Sequence, residues 1–192
     1  MAADPNGLAS RIDALLPQTQ CRRCGFDGCK PYAEALARGE TSLNRCPPGG
    51  QELIERLAAL VGGPALPLDP ACGAEGPPLV AWIDEPACIG CARCLEVCPT
   101  DAIVGARKRM HTVIADDCSG CELCLPACPV DCIRILPAPG LPAAPLTRPA
   151  IEIRAARFRR RHDARRSRLE RDASILQAAL LASLADDDPR AR

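Results

Sequence analysis

The segment 88-CIGCARCLEVCP-99 returns thirty residues later as 118-CSGCELCLPACP-129, and these two copies decide the fold. Both copies have the spacing C-x2-C-x2-C-x3-C-P. In this arrangement three cysteines of one copy hold a [4Fe-4S] cluster, and the fourth cysteine holds the cluster of the other copy. Because the copies exchange ligands in this way, we expect them to fold as one unit.

The exchange rule assigns eight cysteines to two clusters. We call them the Cys88 set and the Cys118 set after the first cysteine of each copy. The Cys88 set consists of Cys88, Cys91, Cys94 and Cys128. The Cys118 set consists of Cys98, Cys118, Cys121 and Cys124. The assignment follows the spacing rule of bacterial ferredoxins and predicts two [4Fe-4S] clusters.

The similarity between the copies extends beyond the cysteines and indicates a duplication. At the offset of thirty residues, Gly90 matches Gly120 and Asp101 matches Asp131. Short apolar runs suited to strands, such as 79-LVAWID-84 and 132-CIRIL-136, flank the cysteine motifs. The repeat therefore predicts a strand, a cluster loop, a short helix and a return strand, twice over, in a small α+β fold over residues 80–137.

A second cysteine motif lies upstream, with the spacing C-x2-C-x4-C-x16-C. It consists of Cys21, Cys24, Cys29 and Cys46, which we call the Cys21 set. Gly25 and Gly28 allow the chain to wind tightly and to direct amide hydrogens at sulfur, because glycine accepts positive φ. A structural zinc site also uses C-x2-C pairs, so the spacing favours a cluster and leaves zinc as the alternative.

The region around this motif is expected to be helical. Leu8, Ile12 and Leu15 share one helical face that ends before Pro17. The segment 32-YAEALARG-39 reads as a helix closed by glycine, and an amphipathic helix is expected between the double glycines at 49–50 and 62–63. Residues 1–62 are therefore predicted to form a small helical domain around the Cys21 set.

Segments rich in proline and glycine separate the predicted domains. Residues 63–79 form one linker, and a second begins at residue 138. The rest of residues 138–192 is predicted to be a helical, arginine-rich tail. Residues 147–192 contain 12 arginines against 7 acidic residues. Such a tail can be solvated, dock a partner, meet anionic lipid or contact nucleic acid, and nucleic acid is the least favoured because basic and aromatic residues do not alternate.

Composition narrows the class of protein. The chain has 14 cysteines but only one Trp, one Tyr and two Phe, so metal centres are expected to take the place of a large core. No signal peptide and no run of eighteen apolar residues is visible, which predicts a cytoplasmic protein, peripheral at most on the inner membrane. Thiols stay reduced in that compartment, so clustered cysteines favour metal over disulfides.

Three further residues that resemble ligands are not expected to bind metal: Cys72 is interpreted as a free thiol, and Cys132 and His111 as structural residues. Cys72 lies in a linker without companions at ligand spacing, and Cys132 matches Ala102 of the first copy, where a small packing residue is expected. His111 is not needed, since every predicted cluster already has four cysteines. Rossmann, P-loop and nucleophile motifs are missing from the sequence, so we expect an electron carrier without a small-molecule substrate site.

Several of these segments together resemble the iron-sulfur B subunit of the Rnf-type (Rsx-type) electron transport complex. The resemblance covers about residues 8–136 and rests on "LLPQTQCRRCGFDGCKPYAEAL", "NRCPPGG", "CIGCARCLEVCPTDAIVGA", "MHTV" and "CSGCELCLPACPVDCI". It implies that the Cys21 set holds a third [4Fe-4S] cluster. It also implies that the chain passes electrons within a membrane complex that moves ions while exchanging electrons between ferredoxin-like and nicotinamide pools.

The sequence departs from that family at both ends. Many members begin with a hydrophobic membrane anchor, whereas this sequence begins almost at the first cysteine motif, and the arginine-rich tail has no counterpart in the family pattern. The partners expected from the resemblance are the other subunits of the complex. The alternatives are a free polyferredoxin that reduces a soluble oxidoreductase, and a nucleic-acid-binding iron-sulfur or zinc protein acting through the tail.

Overall fold

The computed structural model describes residues 5–186 and contains five helices and four strands in that range. Short 3₁₀ turns connect several of them. The elements in chain order are α1 (Pro5–Leu15), α2 (Cys29–Ala37), α3 (Gly50–Val61), β1 (Leu79–Ile83), α4 (Arg93–Val97), β2 (Ile103–Val104), β3 (Thr112–Val113), β4 (Ile133–Pro137) and α5 (Arg148–Asp186). The expected mixture of helices and small sheets is therefore present.

Helices α1, α2 and α3 pack together around an apolar core. The core includes Ile12, Tyr32 and Leu53, all almost completely buried. Helix α2 begins at Cys29, three residues before the segment expected to be helical, and is followed by Gly39 at φ 70°. Helix α3 ends at Gly62, which caps it in the left-handed conformation.

The first part of the expected linker is tied to this helical region. The backbone N–H of Asp69 donates to the Asn44 carbonyl at 2.8 Å, and the Asn44 side chain donates to the Pro67 carbonyl at 2.7 Å. A 3₁₀ turn over Pro70–Cys72 follows, and Cys72 is buried. The proline and glycine content thus marks irregular backbone here, which is nevertheless packed against the helices.

Both small sheets of the repeat join one copy to the other. Strand β1 of the first copy pairs antiparallel with β4 of the second, with Leu79 opposite Pro137 and Ile83 opposite Ile133. Strand β2 of the first copy pairs with β3 of the second. Since neither copy pairs its own two strands, each depends on the other for its hydrogen bonds.

Backbone angles confirm the duplication. Gly90 and Gly120 have φ of 70° and 68°, Ala92 and Glu122 have 66° and 64°, and Asp101 and Asp131 both have 50°. Four of these six are non-glycine residues held in the left-handed region, a conformation that the surrounding structure must impose. The same constraint operates in both copies.

The copies differ in the short helix expected after the third cysteine. The first copy forms α4, whereas the equivalent segment of the second copy, 123–127, forms turns. Pro126 stands there in place of Glu96. Proline has no amide hydrogen to donate and crowds the preceding turn, which accounts for the loss of the helix.

Helix α5 is 39 residues long and lies across both regions in its first half. Ala155 and Phe158 are buried, whereas residues 169–183 are exposed throughout. At 1.5 Å per residue its full length is about 58 Å, so the second half extends away from the body. None of the helices within residues 5–186 has the length and apolarity needed to cross a membrane.

Candidate metal centres

The four cysteines of the Cys88 set line a single small cavity. Apolar side chains including Ile83, Ile89 and Val130 complete its wall. The loop 88–94 supplies three of the four cysteines, and the other copy supplies Cys128. The structure therefore brings these four residues together.

The Cys118 set lines a second small cavity. Ala81, Thr100 and Ile103 form part of its wall. Here the loop 118–124 supplies three cysteines and the first copy supplies Cys98. The two cavities thus repeat the same exchange between copies that the spacing rule predicts.

Backbone amides donate hydrogen bonds to sulfur at the Cys118 set. The N–H of Ala81 points at Cys118 Sγ at 3.3 Å, and the N–H of Ala102 points at Cys98 Sγ at 3.3 Å. Amide donors of this kind stabilise the negative charge of a ligated thiolate. The environment of these sulfurs therefore suits an anionic cluster.

Burial changes the acidity of some of these thiols. It raises the pKa of Cys124 to about 12, with the neighbouring Cys121 and Cys118 adding to the effect. Burial likewise raises the pKa of Cys94 to about 11, reinforced by Cys91 and Cys88. A positively charged metal centre is what converts such thiols into ligands, so cluster binding is expected to release protons.

The Cys21 set also converges, between α1, α2 and the turn that precedes α3. Cys24, Cys29 and Cys46 are buried, and Cys21 is partly exposed. Burial, followed by the proximity of Cys21, raises the pKa of Cys29 to about 12. Burial also raises the pKa of Cys46 well above its usual value, with Cys29 and Cys21 as the next causes. The four thiols therefore lie close enough together for their charges to interact.

A ladder of buried glutamines holds the loop before Cys21. Gln20 Oε1 accepts from the Cys29 amide at 2.8 Å, Gln20 Nε2 donates to Gln18 Oε1 at 3.0 Å, and Gln18 Nε2 donates to the Asp13 carbonyl at 2.8 Å. Gly28 is required beside it, because a Cβ there would lie 2.7 Å from Gln20 Oε1. Sequence reasoning missed these glutamines, although the segment "PQTQC" contains them.

The Cys21 set faces the Cys118 set. Ser119 Oγ donates to the Thr19 carbonyl at 2.9 Å, and Arg23 forms an ion pair with Glu122 at 2.5 Å. A cavity of about 220 Å³ between the two regions is lined by Cys21 as well as by residues of the Cys118 loop. The loops that hold these two cysteine sets are therefore direct neighbours.

Two cysteines outside the three sets lie beside them. Cys132 lines the cavity of the Cys88 set, with its Sγ 3.5 Å from Cys128 Sγ. Cys72 is buried near the Cys21 set, where its Sγ lies 3.8 Å from Asp69 Oδ2. The sequence predicts a small packing residue at Cys132, and Cys132 is buried; it places Cys72 in a linker and does not predict the burial of that thiol.

Within residues 5–186, no group of three or more His, Cys, Asp or Glu side chains is arranged to hold a single metal ion. A cubane cluster takes one thiolate on each of its four irons, so its cysteines surround a volume. Each of the two cavities gathers the four thiols of one predicted set, and such a donor set fits a cluster of that kind.

Arginines of α5 contact both cysteine regions. Arg159 pairs with Asp13 of α1, Arg157 pairs with Asp117 at 2.7 Å, and Arg154 Nη2 lies 3.5 Å from the Cys118 carbonyl. Further ion pairs join Arg165 and Arg168 to Asp101. Since these arginines bind acids and carbonyls of the same chain, this half of the tail is an internal contact surface.

Comparisons with known proteins match the same regions. A family model described as "4Fe-4S dicluster domain" matches residues 81–135, and one described as "Putative Fe-S cluster" matches residues 16–48. The first model spans the Cys88 and Cys118 sets, and the second includes the Cys21 set. No solved structure matches the chain.

Several curated relatives are named as the B subunit of an ion-translocating oxidoreductase complex. The protein of Alkalilimnicola ehrlichii is 62% identical over 134 residues, which are 69% of this chain and 72% of the relative. That of Thiobacillus denitrificans is 59% identical over 112 residues, or 58% of this chain and 60% of the relative. That of Hahella chejuensis is 58% identical over 134 residues, 70% and 68% respectively. The chain therefore belongs to the family formed by the B subunits of ion-translocating oxidoreductase complexes.

Proposed function

We propose that this chain transfers electrons through three [4Fe-4S] clusters, as the B subunit of a membrane complex that couples electron transfer to ion translocation. The Cys21, Cys88 and Cys118 sets would hold one cluster each. The supporting observation is that the two paired sets each line one cavity. When bound, the clusters supply one-electron redox chemistry at low potential. The chain needs no catalytic side chain for this role.

The protein's part is to hold the sulfurs apart, exclude water and set the charge around them. Apolar residues such as Ile83 and Ile133 wall the cavity of the Cys88 set. Amides of Ala81 and Ala102 donate to sulfurs of the Cys118 set. Low polarity penalises added negative charge and amide donors favour it, so the balance between the two determines each reduction potential.

The contacts between loops support an order for the relay. The Cys21 loop touches the Cys118 loop through Thr19 and Ser119 and through Arg23 and Glu122. The Cys118 and Cys88 sets share a duplicated fold in which each copy supplies a ligand to the other. We therefore order the centres as the Cys21 set, the Cys118 set and the Cys88 set.

The Cys88 end of this order carries a basic, partly apolar surface. Arg107, Lys108 and Arg109 form a basic turn, and the Lys108 amide donates to the Gly90 carbonyl at 2.9 Å. Ile89 is 60% exposed and Met110 is 52% exposed beside it. An apolar centre with a basic rim suits transient docking of an acidic redox protein.

A charge reversal tests this docking surface. Lys108→Glu is expected to slow electron exchange with an acidic ferredoxin at low salt by about tenfold and to weaken the salt dependence of the rate, because steering is electrostatic. Lys30→Glu on α2 is the matched control and should have little effect. Equal rates for wild type and Lys108→Glu would remove this surface from the proposal.

Membership of a membrane complex is tested by anaerobic affinity purification of the native protein, followed by identification of its partners. We expect integral membrane subunits of an ion-translocating complex, placing the chain on the cytoplasmic face. Recovery of a wholly soluble oxidoreductase partner would instead support the free polyferredoxin.

A further inference from the structure

The two copies of the repeat, residues 80–137, differ in the side chains at one pair of facing residues. Where β1 pairs with β4, Ala81 stands opposite Ile135. The positions thirty residues away are His111 and Gly105, one step beyond the paired residues of β2 and β3. In the first pair the larger side chain is Ile135, on the return strand β4. In the equivalent pair the larger side chain is His111, which directly precedes β3, the counterpart of β1. An imidazole therefore occupies the place that Ala81 holds in the other copy.

This exchange places the imidazole against a proposed cluster ligand. His111 is 1% exposed, and its Nδ1 lies 3.4 Å from Cys88 Sγ and 3.9 Å from Cys94 Sγ. At the equivalent place Ala81 has only its backbone amide, which donates to Cys118 Sγ. The Cys88 set thus has a side-chain nitrogen that the Cys118 set lacks.

Gly105 makes room for the ring. Its φ is 148°, and a Cβ there would lie 2.8 Å from the Met110 carbonyl oxygen and 3.0 Å from His111 Cγ. A side chain at Gly105 would therefore displace the imidazole. The position of the ring beside Cys88 is determined by the backbone opposite it.

The proton on the imidazole follows from the chemistry of the ligand. A cysteine sulfur bound to iron has no proton, so a close contact with His111 Nδ1 is attractive only when that nitrogen carries the hydrogen. Nε2 is then a bare acceptor, and among the described residues it has no hydrogen-bond partner. Sulfur at 3.4 Å is within the range of an N–H donor to this larger atom.

We propose that His111 donates a hydrogen bond from Nδ1 to Cys88 Sγ and so raises the reduction potential of the cluster held by the Cys88 set. Reduction adds negative charge, and a donor to sulfur stabilises the more negative form. No imidazole lies beside the Cys118 set, where Thr100 Oγ1 is 3.9 Å from Cys98 Sγ but donates to the Asp117 carbonyl, so the effect is confined to one cluster. The inference rests on the proposed [4Fe-4S] clusters.

The test is a redox titration of the full chain after anaerobic reconstitution, followed by electron paramagnetic resonance. His111→Leu is expected to make one cluster harder to reduce, with a shift of about tenfold in its one-electron equilibrium, or about 59 mV. The other clusters should keep their potentials. His162→Leu replaces the only other histidine and should shift none.

Two further variants separate a hydrogen bond from simple packing. His111→Gln keeps an N–H donor and should restore part of the potential, while Gly105→Ala should shift the same cluster in the same direction as His111→Leu. An unchanged potential in His111→Leu with full iron content overturns the inference. A shift of all clusters together also overturns it.

A direct measurement covers the case in which His111→Leu does not retain iron. Protein labelled with ¹⁵N-histidine is reduced and examined by pulsed electron paramagnetic resonance. Coupling to a histidine nitrogen is expected, and it should persist in His162→Leu. Lack of coupling in iron-loaded protein overturns the hydrogen bond alone, whereas lack of iron in the wild type overturns the proposed function itself.

Discussion

At the scale of single residues, Cys132 is an example of a cysteine that lies beside a proposed cluster site but is not predicted to be one of its ligands. Its thiol lies 3.5 Å from Cys128 Sγ and lines the same cavity, yet the equivalent residue of the first copy is Ala102. The first copy therefore takes part in the same exchange of cysteines between copies without a thiol at this position. Proximity alone does not make Cys132 a ligand.

We therefore predict that Cys132→Ala retains the full iron and sulfide content. Cys128→Ala should lose about four iron per chain, because it removes a ligand of one cubane. Iron and sulfide analysis after reconstitution measures both. Cys72→Ser should behave like Cys132→Ala, and a loss of about four iron in either would make that residue a ligand.

Gly90 is constrained by close backbone packing as well as by its positive φ. A Cβ there would lie 2.6 Å from the Arg109 amide nitrogen, whereas one at Gly140, with a similar φ of 71°, would meet nothing within 4 Å. Comparing Gly90 with Gly140 therefore separates the energetic cost of the backbone conformation from the energetic cost of steric crowding.

Gly90→Ala should lower the free energy of unfolding by about 2 to 4 kcal/mol, since the strained φ and the crowding add. Gly140→Ala should cost only about 1 kcal/mol, the conformational part. Denaturant unfolding of the reconstituted protein measures the difference. Equal losses in the two variants would show that crowding at Gly90 is relieved without cost.

At the residue level, the convergence of the paired cysteine sets could be predicted because chemistry sets their spacing, while their role as cluster ligands stays a prediction. The paired cysteine sets were predicted because a cubane needs thiolates from fixed loop positions, and the structure gathers each set around one cavity. The glutamine ladder and the contact of His111 with Cys88 were not predicted. Both arise when separate segments fold together, and neither residue type signals such a contact by itself.

At the scale of elements, α5 owes its docking to a buried aromatic ring. Phe158 is 2% exposed, and the Arg154 guanidinium lies 5.0 Å from its ring centroid. The partly exposed ion pairs of α5 are each worth about 1 kcal/mol or less. Burial of the phenyl ring therefore outweighs any one of them.

Phe158→Ala should destabilise the fold by about 3 to 5 kcal/mol and make α5 sensitive to proteolysis. Leu176→Ala lies in the exposed half of the same helix, where Leu176 is 72% exposed, and should change stability by less than about 0.5 kcal/mol. Unfolding and limited proteolysis measure both. Similar effects of the two variants would contradict the division of α5 into a docked and an exposed half.

Burial of His162 on α5 gives stability a pH dependence. Burial lowers the pKa of His162 below 6.5, with Arg166 and Arg165 acting in the same direction and Asp163 and Asp13 opposing them. The unfolded chain therefore takes up the proton first, so stability is full above about pH 6.5 and falls as the pH drops below it.

His162→Gln should flatten this part of the profile. Melting temperatures of the wild type and the variant, measured between about pH 5.5 and 7.5, should converge at the acidic end. Parallel profiles over that range would mean that His162 does not contribute to the acid sensitivity.

The elements themselves were predictable where the pattern is local. The apolar spacing and the terminal glycines predicted α1, α2 and α3, and the apolar runs predicted the strands. The docking of α5 was not predictable, because its arginines pair with acids far away in sequence, such as Asp13 and Asp101. A composition rich in arginine does not specify whether those side chains meet solvent, a partner or their own chain.

At the scale of the whole molecule, α5 acts as a strap across the two cysteine regions. Arg148 donates to the Leu15 carbonyl at 2.5 Å in the first region, and Arg161 donates to the Thr100 carbonyl at 2.6 Å in the second. Together with the contacts between the Cys21 and Cys118 loops, these bonds hold both regions at one separation. A fixed separation is what a relay between proposed centres requires.

The proposed relay depends on three clusters, and iron and sulfide analysis tests the number of clusters most directly. After anaerobic reconstitution, the wild type should contain about twelve iron and about twelve sulfide per chain, and Cys21→Ala should lose about four of each. Cys72→Ser is the control and should lose neither. About eight iron in the wild type with no effect of Cys21→Ala, or zinc in place of the missing iron, would contradict the three-cluster relay.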